Sequence, residues 1–413
     1  MKRAIVLSGG GAKGAYQIGV WKALRKLNIK YDIVTGTSIG SVNGLLMVQN
    51  EYHKALHIWK NIGYSDLFDV DFKNSTNVNE VYKKYAKEFL KNGGIETSKM
   101  YDFLCNAYNE KKFKNSNIDY GVVTVNLTKM KPTVVKKSDN NKNLLKYILA
   151  SGTCYPAFQL TNIDDCKYID GGYYDNLPLQ TAIDLGAEEI IAVDIGVMGI
   201  KKKIKNKDIK IKYIVPKNDI GEFLVFDKHQ SRKSIDYGYN DTMKAYDKLD
   251  GDKYTFEYGS LLKNYNNIGI EYFKHIKKYY KNKSESKMIN NILDYSKYSK
   301  LLNKKDFNYL YKTLNQTIEY AASLLKLEDF KIYSINSLNY NLKKNIKKFE
   351  PFSKKHVREL IKNKNLKRRT SRRAIMVFIY KELSERKLSN IEFLLLINIY
   401  NKEFLSALYI YML

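Results

Sequence analysis

The chain has 413 residues, with 71 Lys and Arg against 43 Asp and Glu, a formal charge of +28, and a 44% hydrophobic fraction. That fraction excludes a disordered chain, and the length predicts two or three domains. Three scattered cysteines, Cys105, Cys154 and Cys166, exclude a disulfide scaffold, lack the pairing of a zinc site, and point to a reduced compartment.

In chain order, the first predicted strand is Arg3 to Leu7. Only Ala4 to Leu7 is apolar before a glycine cluster, too short for a signal peptide, and no run of 18 apolar residues occurs anywhere. The expected location is therefore cytoplasmic, with the membrane periphery as its outer limit. The strand runs into Ser8-Gly9-Gly10-Gly11-Ala12-Lys13-Gly14, and a helix is predicted over Ala12 to Leu27. Glycines at a helix start leave main-chain N–H groups uncovered beside a partial positive charge, a setting that receives an anion. The loop formally satisfies G-x-G-x-x-G. A dinucleotide site would need an acidic residue at the far end of the next strand, whereas Asp32 stands at its start. A Walker A loop fails because Ala15 occupies the lysine position.

The second strand, Asp32 to Thr35, leads into Gly36-Thr37-Ser38-Ile39-Gly40 and a helix over Ile39 to Val48. This G-x-S-x-G between strand and helix has the form of a nucleophile elbow; the alternative is that Ser38 caps the helix. Tyr64 to Phe72 mixes aromatic and acidic residues and is a candidate lid. Further strands are expected at Tyr120 to Val125, Thr133 to Lys136, Glu189 to Ile195 and Ile211 to Val215. Short β-branched runs alternating with helices predict an α/β domain with a mostly parallel sheet covered on both faces. After the run Lys167 to Ile169 comes Asp170-Gly171-Gly172, which reads as a placed carboxylate or as an ordinary turn.

Taken together, the three motifs supply a nucleophile (Ser38), a base (Asp170) and oxyanion donors (the amides of Gly10, Gly11 and Ala12) for attack on an ester. A Ser-His-Asp triad is the competing arrangement, and His229 is its leading candidate by chain order. Several strands usually precede the elbow in that fold, whereas Ser38 follows only the second. An aspartate base is weak at its ordinary pKa of about 3.9. Burial raises that value, and a water-excluding lipid substrate suits a buried base.

The ordered set Gly9 to Gly14, Gly36 to Gly40 and Asp170 to Gly172, with Asn176 and Pro178 following and Ala150-Ser151 to Pro156-Ala157-Phe158 before it, resembles the patatin-like phospholipases. The resemblance covers residues 3–215 or so. It implies a three-layer α/β/α domain and a serine lipid acyl hydrolase. Ser38 would be the nucleophile, Asp170 the general base, and Gly10 and Gly11 the oxyanion hole. Gly9, Lys13, Gly14, Gly36, Gly40, Gly171 and Gly172 would support the motifs. It implies no metal and no cofactor. Lys13 takes the family's basic place in the glycine loop, where it would attract a phosphate head group or simply meet solvent.

A catalytic domain over residues 1–260 and a basic, mainly helical region over 261–413 are expected. Phe307, Leu310, Tyr311, Leu314, Ile318, Ala321, Ala322 and Leu325 follow helical spacing, as do Ile375, Phe378, Ile379 and Leu383. Residues 251–413 carry 33 basic and 15 acidic side chains, a surplus that suits an anionic membrane surface or a nucleic acid. Phe393 to Ile397 and Leu408 to Tyr411 would add apolar membrane contact, unless these helices bury them in a core. The Arg368–Arg373 cluster could serve a nucleic acid, but no recognised binding signature accompanies it. A phospholipid or other acyl lipid is the expected partner.

Overall fold

The computed structural model describes residues 1–72, 77–197, 199–205, 208–279, 304–362, 370–385 and 387–413. The chain divides into two compact units, Met1–Tyr246 and Asp247–Leu413. The division falls before residue 260 for a packing reason. Tyr254 and Phe256 belong to the core of the second unit, and strand Thr255–Glu257 pairs with Ile332–Tyr333.

The first unit is built on an eight-stranded sheet: β1 (Arg3–Leu7), β2 (Ile33–Thr37), β3 (Asp119–Asn126), β4 (Lys131–Lys136), β5 (Thr161–Ile163), β6 (Cys166–Asp170), β7 (Glu189–Val193) and β8 (Lys210–Ile214). Its path is β5-β6-β3-β2-β1-β7-β8, with β4 paired to β3. The run β3-β2-β1-β7-β8 is parallel, whereas β4 and β6 lie antiparallel to β3. The central strands are apolar without alternation because both faces are covered. Ala4, Val6 and Ile33 pack with Leu179 and Ala182 of helix α9 (Leu179–Asp184) on one face. On the other, Leu7, Val34 and Tyr120 approach Gly44 of helix α2 (Ile39–Val48). This is the expected three-layer arrangement. The predicted first helix differs at its start: Gly11–Gly14 is a 3-10 turn, and helix α1 is Ala15–Lys26.

The register of β3 brings two distant segments together. Over Gly121–Val123, β3 carries β2 on one edge and β4 on the other. Over Thr124–Asn126 it still carries β4 and now pairs with β6, which therefore takes the edge that β2 has left. Thr37 lies opposite Val123, and Asp170 lies opposite Thr124. The carboxyl ends of β2 and β6 thus meet on adjacent positions of one strand, although 132 residues separate Ser38 from Asp170 in the chain.

The second unit is mainly helical around one core. Leu310, Leu314, Ile318, Ala321 and Ala322 are buried in helix Lys304–Leu324, and Ile375, Ile379 and Leu383 in helix Arg372–Glu385. Leu396, Ile397 and Leu408–Ile410 join that core, so most of the apolar residues expected at a membrane are internal. Ile391, Leu394 and Leu395 stay exposed along one face of helix Asn390–Ile399. Arg368 and Arg369 lie outside the described residues. Arg372 lies over the Tyr400 ring and 3.6 Å from Glu403, and Arg373 donates to the Leu324 carbonyl, so both serve the unit's own packing. Among the described residues no single helix is long and apolar enough to cross a membrane; the pair Asn390–Ile399 and Asn401–Met412 is bent by 112°.

Candidate active site

Ser38 follows β2 and stands at the N-cap position of α2 with φ 52° and ψ −128°, a backbone conformation that side-chain-bearing residues rarely hold. Two glycines make the turn possible. A Cβ at Gly36 would lie 2.4 Å from the Gly40 carbonyl, and one at Gly40 would lie 2.4 Å from the Leu7 carbonyl oxygen. The elbow is therefore held against β1 by backbone contact that any side chain would break. Although Ser38 sits where a capping serine would, its side chain makes no capping hydrogen bond. The hydroxyl instead lies near enough to the Asp170 carboxylate to oppose the rise in its pKa.

Asp170 is 6% exposed and Ser38 9%. The carboxylate also accepts the Gly172 N–H at 2.7 Å. Burial pushes its pKa from 3.8 up to about 6, against the smaller opposing pull of the Gly172 amide and the Ser38 hydroxyl. Gly171 fits because the Val123 carbonyl oxygen lies 2.1 Å from where its Cβ would be. No histidine lines the pocket that holds Ser38, and His229 is exposed near the start of helix α10 (Lys228–Ala245). The geometry brings together the serine and the carboxylate, and leaves the imidazoles elsewhere.

The glycine loop passes beside the elbow, with Gly9 so close that a Cβ there would be 3.0 Å from that of Ser38. Among the described residues, the amides of Gly10 and Gly11 have no protein acceptor, while that of Ala12 donates to the Phe223 carbonyl at 2.8 Å. Ala12 therefore departs from the expected donor set: its N–H ties the loop to residue 223. Lys13 is partly exposed on the 3-10 turn, and Gly14 packs beneath Ile39 and Trp59.

Two supporting residues were not legible as such in the sequence. The Ser38 N–H donates to Ser151 Oγ at 2.8 Å, and that hydroxyl donates to the Val123 carbonyl at 2.6 Å. Ser151 ends helix α8 (Leu144–Ser151) and is fully buried, so it pins the elbow to β3. Asn176 accepts the Gly9 N–H on its main-chain oxygen at 3.1 Å, and its side-chain oxygen lies against Gly9 and Gly172. Thr37 Oγ1 and Thr35 Oγ1 donate to the carbonyls of Asp175 (2.7 Å) and Pro178 (3.1 Å). The segment after the double glycine is thereby stitched to β2 and the glycine loop together.

Ser38 and Gly11 open into a pocket whose walls are almost wholly apolar, including Val42, Leu46, Trp59, Phe103 and Leu149. Leu67 and Phe68 belong to its wall. The segment expected to act as a lid is instead built in: Tyr64 stacks on Phe72 at 4.2 Å and Phe68 on Phe158 at 5.4 Å. All four rings are buried.

The family model described as patatin-like phospholipase matches residues 5–183. Lysophospholipase nte1 of Aspergillus terreus is 30% identical over 197 residues, which is 46% of this chain and 12% of that protein. Patatin-like phospholipase domain-containing protein 7 of Rattus norvegicus is 27% identical over 195 residues, 47% of this chain and 13% of its own length. The chain thus matches only about an eighth of these curated relatives. The crystal structure of VipD from Legionella pneumophila covers 97% of this chain and 91% of its own at 16% identity and a TM-score of 0.36, too loose to compare sites. Over residues 5–183 the chain is similar to the patatin-like phospholipase family.

Proposed function

We propose that the chain is a serine lipid acyl hydrolase with a Ser38–Asp170 dyad. The observation that carries this reading is a buried carboxylate, Asp170, brought by the β3 register beside Ser38, which opens on an apolar pocket. Asp170 takes the hydroxyl proton as Ser38 Oγ attacks the ester carbonyl carbon. The negative charge that develops on the carbonyl oxygen is held by the Gly10 and Gly11 amides, where one such donor is typically worth about 10²–10³ in rate. Collapse of the tetrahedral intermediate breaks the acyl–oxygen bond, and Asp170 returns its proton to the departing alcohol. Water, deprotonated by the same carboxylate, then releases the acid and restores Ser38. The names of the relatives support a phospholipid or lysophospholipid as substrate.

The second part of the proposal is that the basic unit brings the catalytic unit to an anionic lipid surface. Residues 247–413 carry 34 basic and 17 acidic side chains, and Ile391, Leu394 and Leu395 form an exposed apolar stripe. Lys and Arg near an anionic surface contribute about 1 kcal/mol each.

Labelling with a fluorophosphonate tests the first part. The wild-type chain should carry one covalent adduct on Ser38 and release free fatty acid from a mixed lipid extract, followed by mass spectrometry. Ser38→Ala should do neither, and labelling that survives in this variant would overturn the reading.

A further inference from the structure

We infer that helix α2 is a ruler for the acyl chain: one chain lies along it, and Val42 and Leu46 set the length that is accommodated. That the ester end sits at Ser38 rests on the function proposed above; the pocket and its direction do not. Ile39, Val42, Asn43 and Leu46 all line the pocket, and they share one helical face at spacings of three, four and seven. The pocket therefore follows α2 away from the nucleophile for two turns. At a rise of about 1.5 Å per residue, Ile39 and Leu46 are roughly 10 Å apart along the axis.

The chemistry of this stripe selects an apolar occupant. Its one polar side chain, Asn43, has no group to spare. The amide nitrogen donates to the Gly14 carbonyl at 3.1 Å and to Gln17 Oε1 at 2.8 Å, and the oxygen accepts the Trp59 indole N–H at 2.8 Å. Facing walls come from Ile58 and Ile62 of helix α3 (Tyr52–Asn61) and the residue after it, and from Leu104 of helix α6 (Ser98–Ala107). Nothing along this path could satisfy a charged or hydroxylated tail, and leaving such a group unpaired is costly.

Length follows from the same geometry. An extended carbon chain advances roughly 1.3 Å per bond, given a C–C length of about 1.5 Å. Roughly eight carbons then reach the level of Leu46, which is 1% exposed. Val42, half-buried, lies one turn nearer Ser38. Up to that level each added methylene is buried and should tighten binding about fourfold; beyond it the gain should stop.

Titration calorimetry of the full chain with saturated fatty acids of four to sixteen carbons, each below its micelle concentration, tests this without needing turnover. The affinity should climb to about eight to ten carbons and then level off. Leu46→Phe should move the break to shorter chains, Val42→Phe should move it further still, and Leu46→Ala should move it to longer ones. Should Leu46→Phe fail to fold, the half-buried Val42→Phe and the smaller Leu46→Ala still shift the break in opposite directions. An affinity that rises without a break to sixteen carbons, or a break at one length in all variants, overturns the ruler. Parallel hydrolysis of p-nitrophenyl esters separates the two proposals. A break in binding without Ser38-dependent hydrolysis upholds the ruler and overturns the enzymatic reading, and hydrolysis without a break does the reverse.

Discussion

Asp170 shows how one residue trades stability for reactivity. An acid with a pKa of 3.8 could hardly take a proton from serine; burial lifts it to about 6. The base role proposed for Asp170 requires the ionised form, so kcat/KM should fall below about pH 6 with a slope of one, as measured across a pH series on a soluble ester. The linked stability has the opposite sign. Between about pH 4 and 6 the folded chain keeps a proton that the unfolded chain has lost, so this group's contribution to stability declines as pH rises through that window. Asp170→Asn removes the ionisation. It should abolish hydrolysis yet melt higher than wild type above pH 6, by up to about 3 kcal/mol for a shift of about two units. The difference should vanish below about pH 4, which a pair of thermal melts at pH 4 and pH 8 would reveal.

At the level of elements, the elbow is held by a helix that contributes no reacting group. The Ser151 hydroxyl at the end of α8 accepts the Ser38 N–H and passes a hydrogen bond to Val123 of β3. Ser151→Ala leaves a buried N–H without an acceptor in a residue whose backbone is already strained, a cost of about 1–3 kcal/mol. The expected result is a lower melting temperature and a loss of roughly tenfold in kcat, by the same conversion of free energy to rate, with KM little changed. Ser151→Thr keeps the hydroxyl and should recover most of the rate. Equal losses in both variants would mean that volume, and not the hydrogen bond, matters at this position. The segment after Asp170 is joined in a similar way to the glycine loop through Asn176 and to β2 through Pro178. The motifs are therefore coupled by the main chain as well as by chemistry.

Across the whole molecule, charge is divided unevenly between two units with separate cores. Residues 1–246 carry 37 basic and 26 acidic side chains, whereas the shorter 247–413 carries 34 and 17. If that surplus draws the enzyme to lipid, the full chain should co-sediment with vesicles containing phosphatidylserine at low ionic strength. Release should be nearly complete at about 1 M salt, where the Debye length falls to about 3 Å. Equal binding to vesicles of phosphatidylcholine alone would remove electrostatics from the account and leave the Ile391, Leu394 and Leu395 stripe as its only support.

How much of this was legible differs from feature to feature. Strand β1, helix α2 and the three motifs could be read directly, because adjacent glycines and β-branched runs act over a few residues. The helical face of Leu310 to Leu325 was equally plain, since burial imposes its spacing wherever a helix meets a core. The lid was misread because aromatic residues in a loop look alike whether they cover a cleft or form its wall. The exact start of the second unit was not legible, because a two-residue strand pairing across 77 residues leaves no local trace. By itself, then, the sequence determined the fold class and the likeness to the patatin-like phospholipases over the first unit, and it marked the three motifs, since each depends on short-range pattern. Only the tertiary structure decided that Ser38 and Asp170 meet, that Ala12 is occupied by residue 223, and that Ser151 bears on the nucleophile. The first and last of these depend on β3, along whose edge the ends of two strands meet, and its register is settled by packing across the whole sheet.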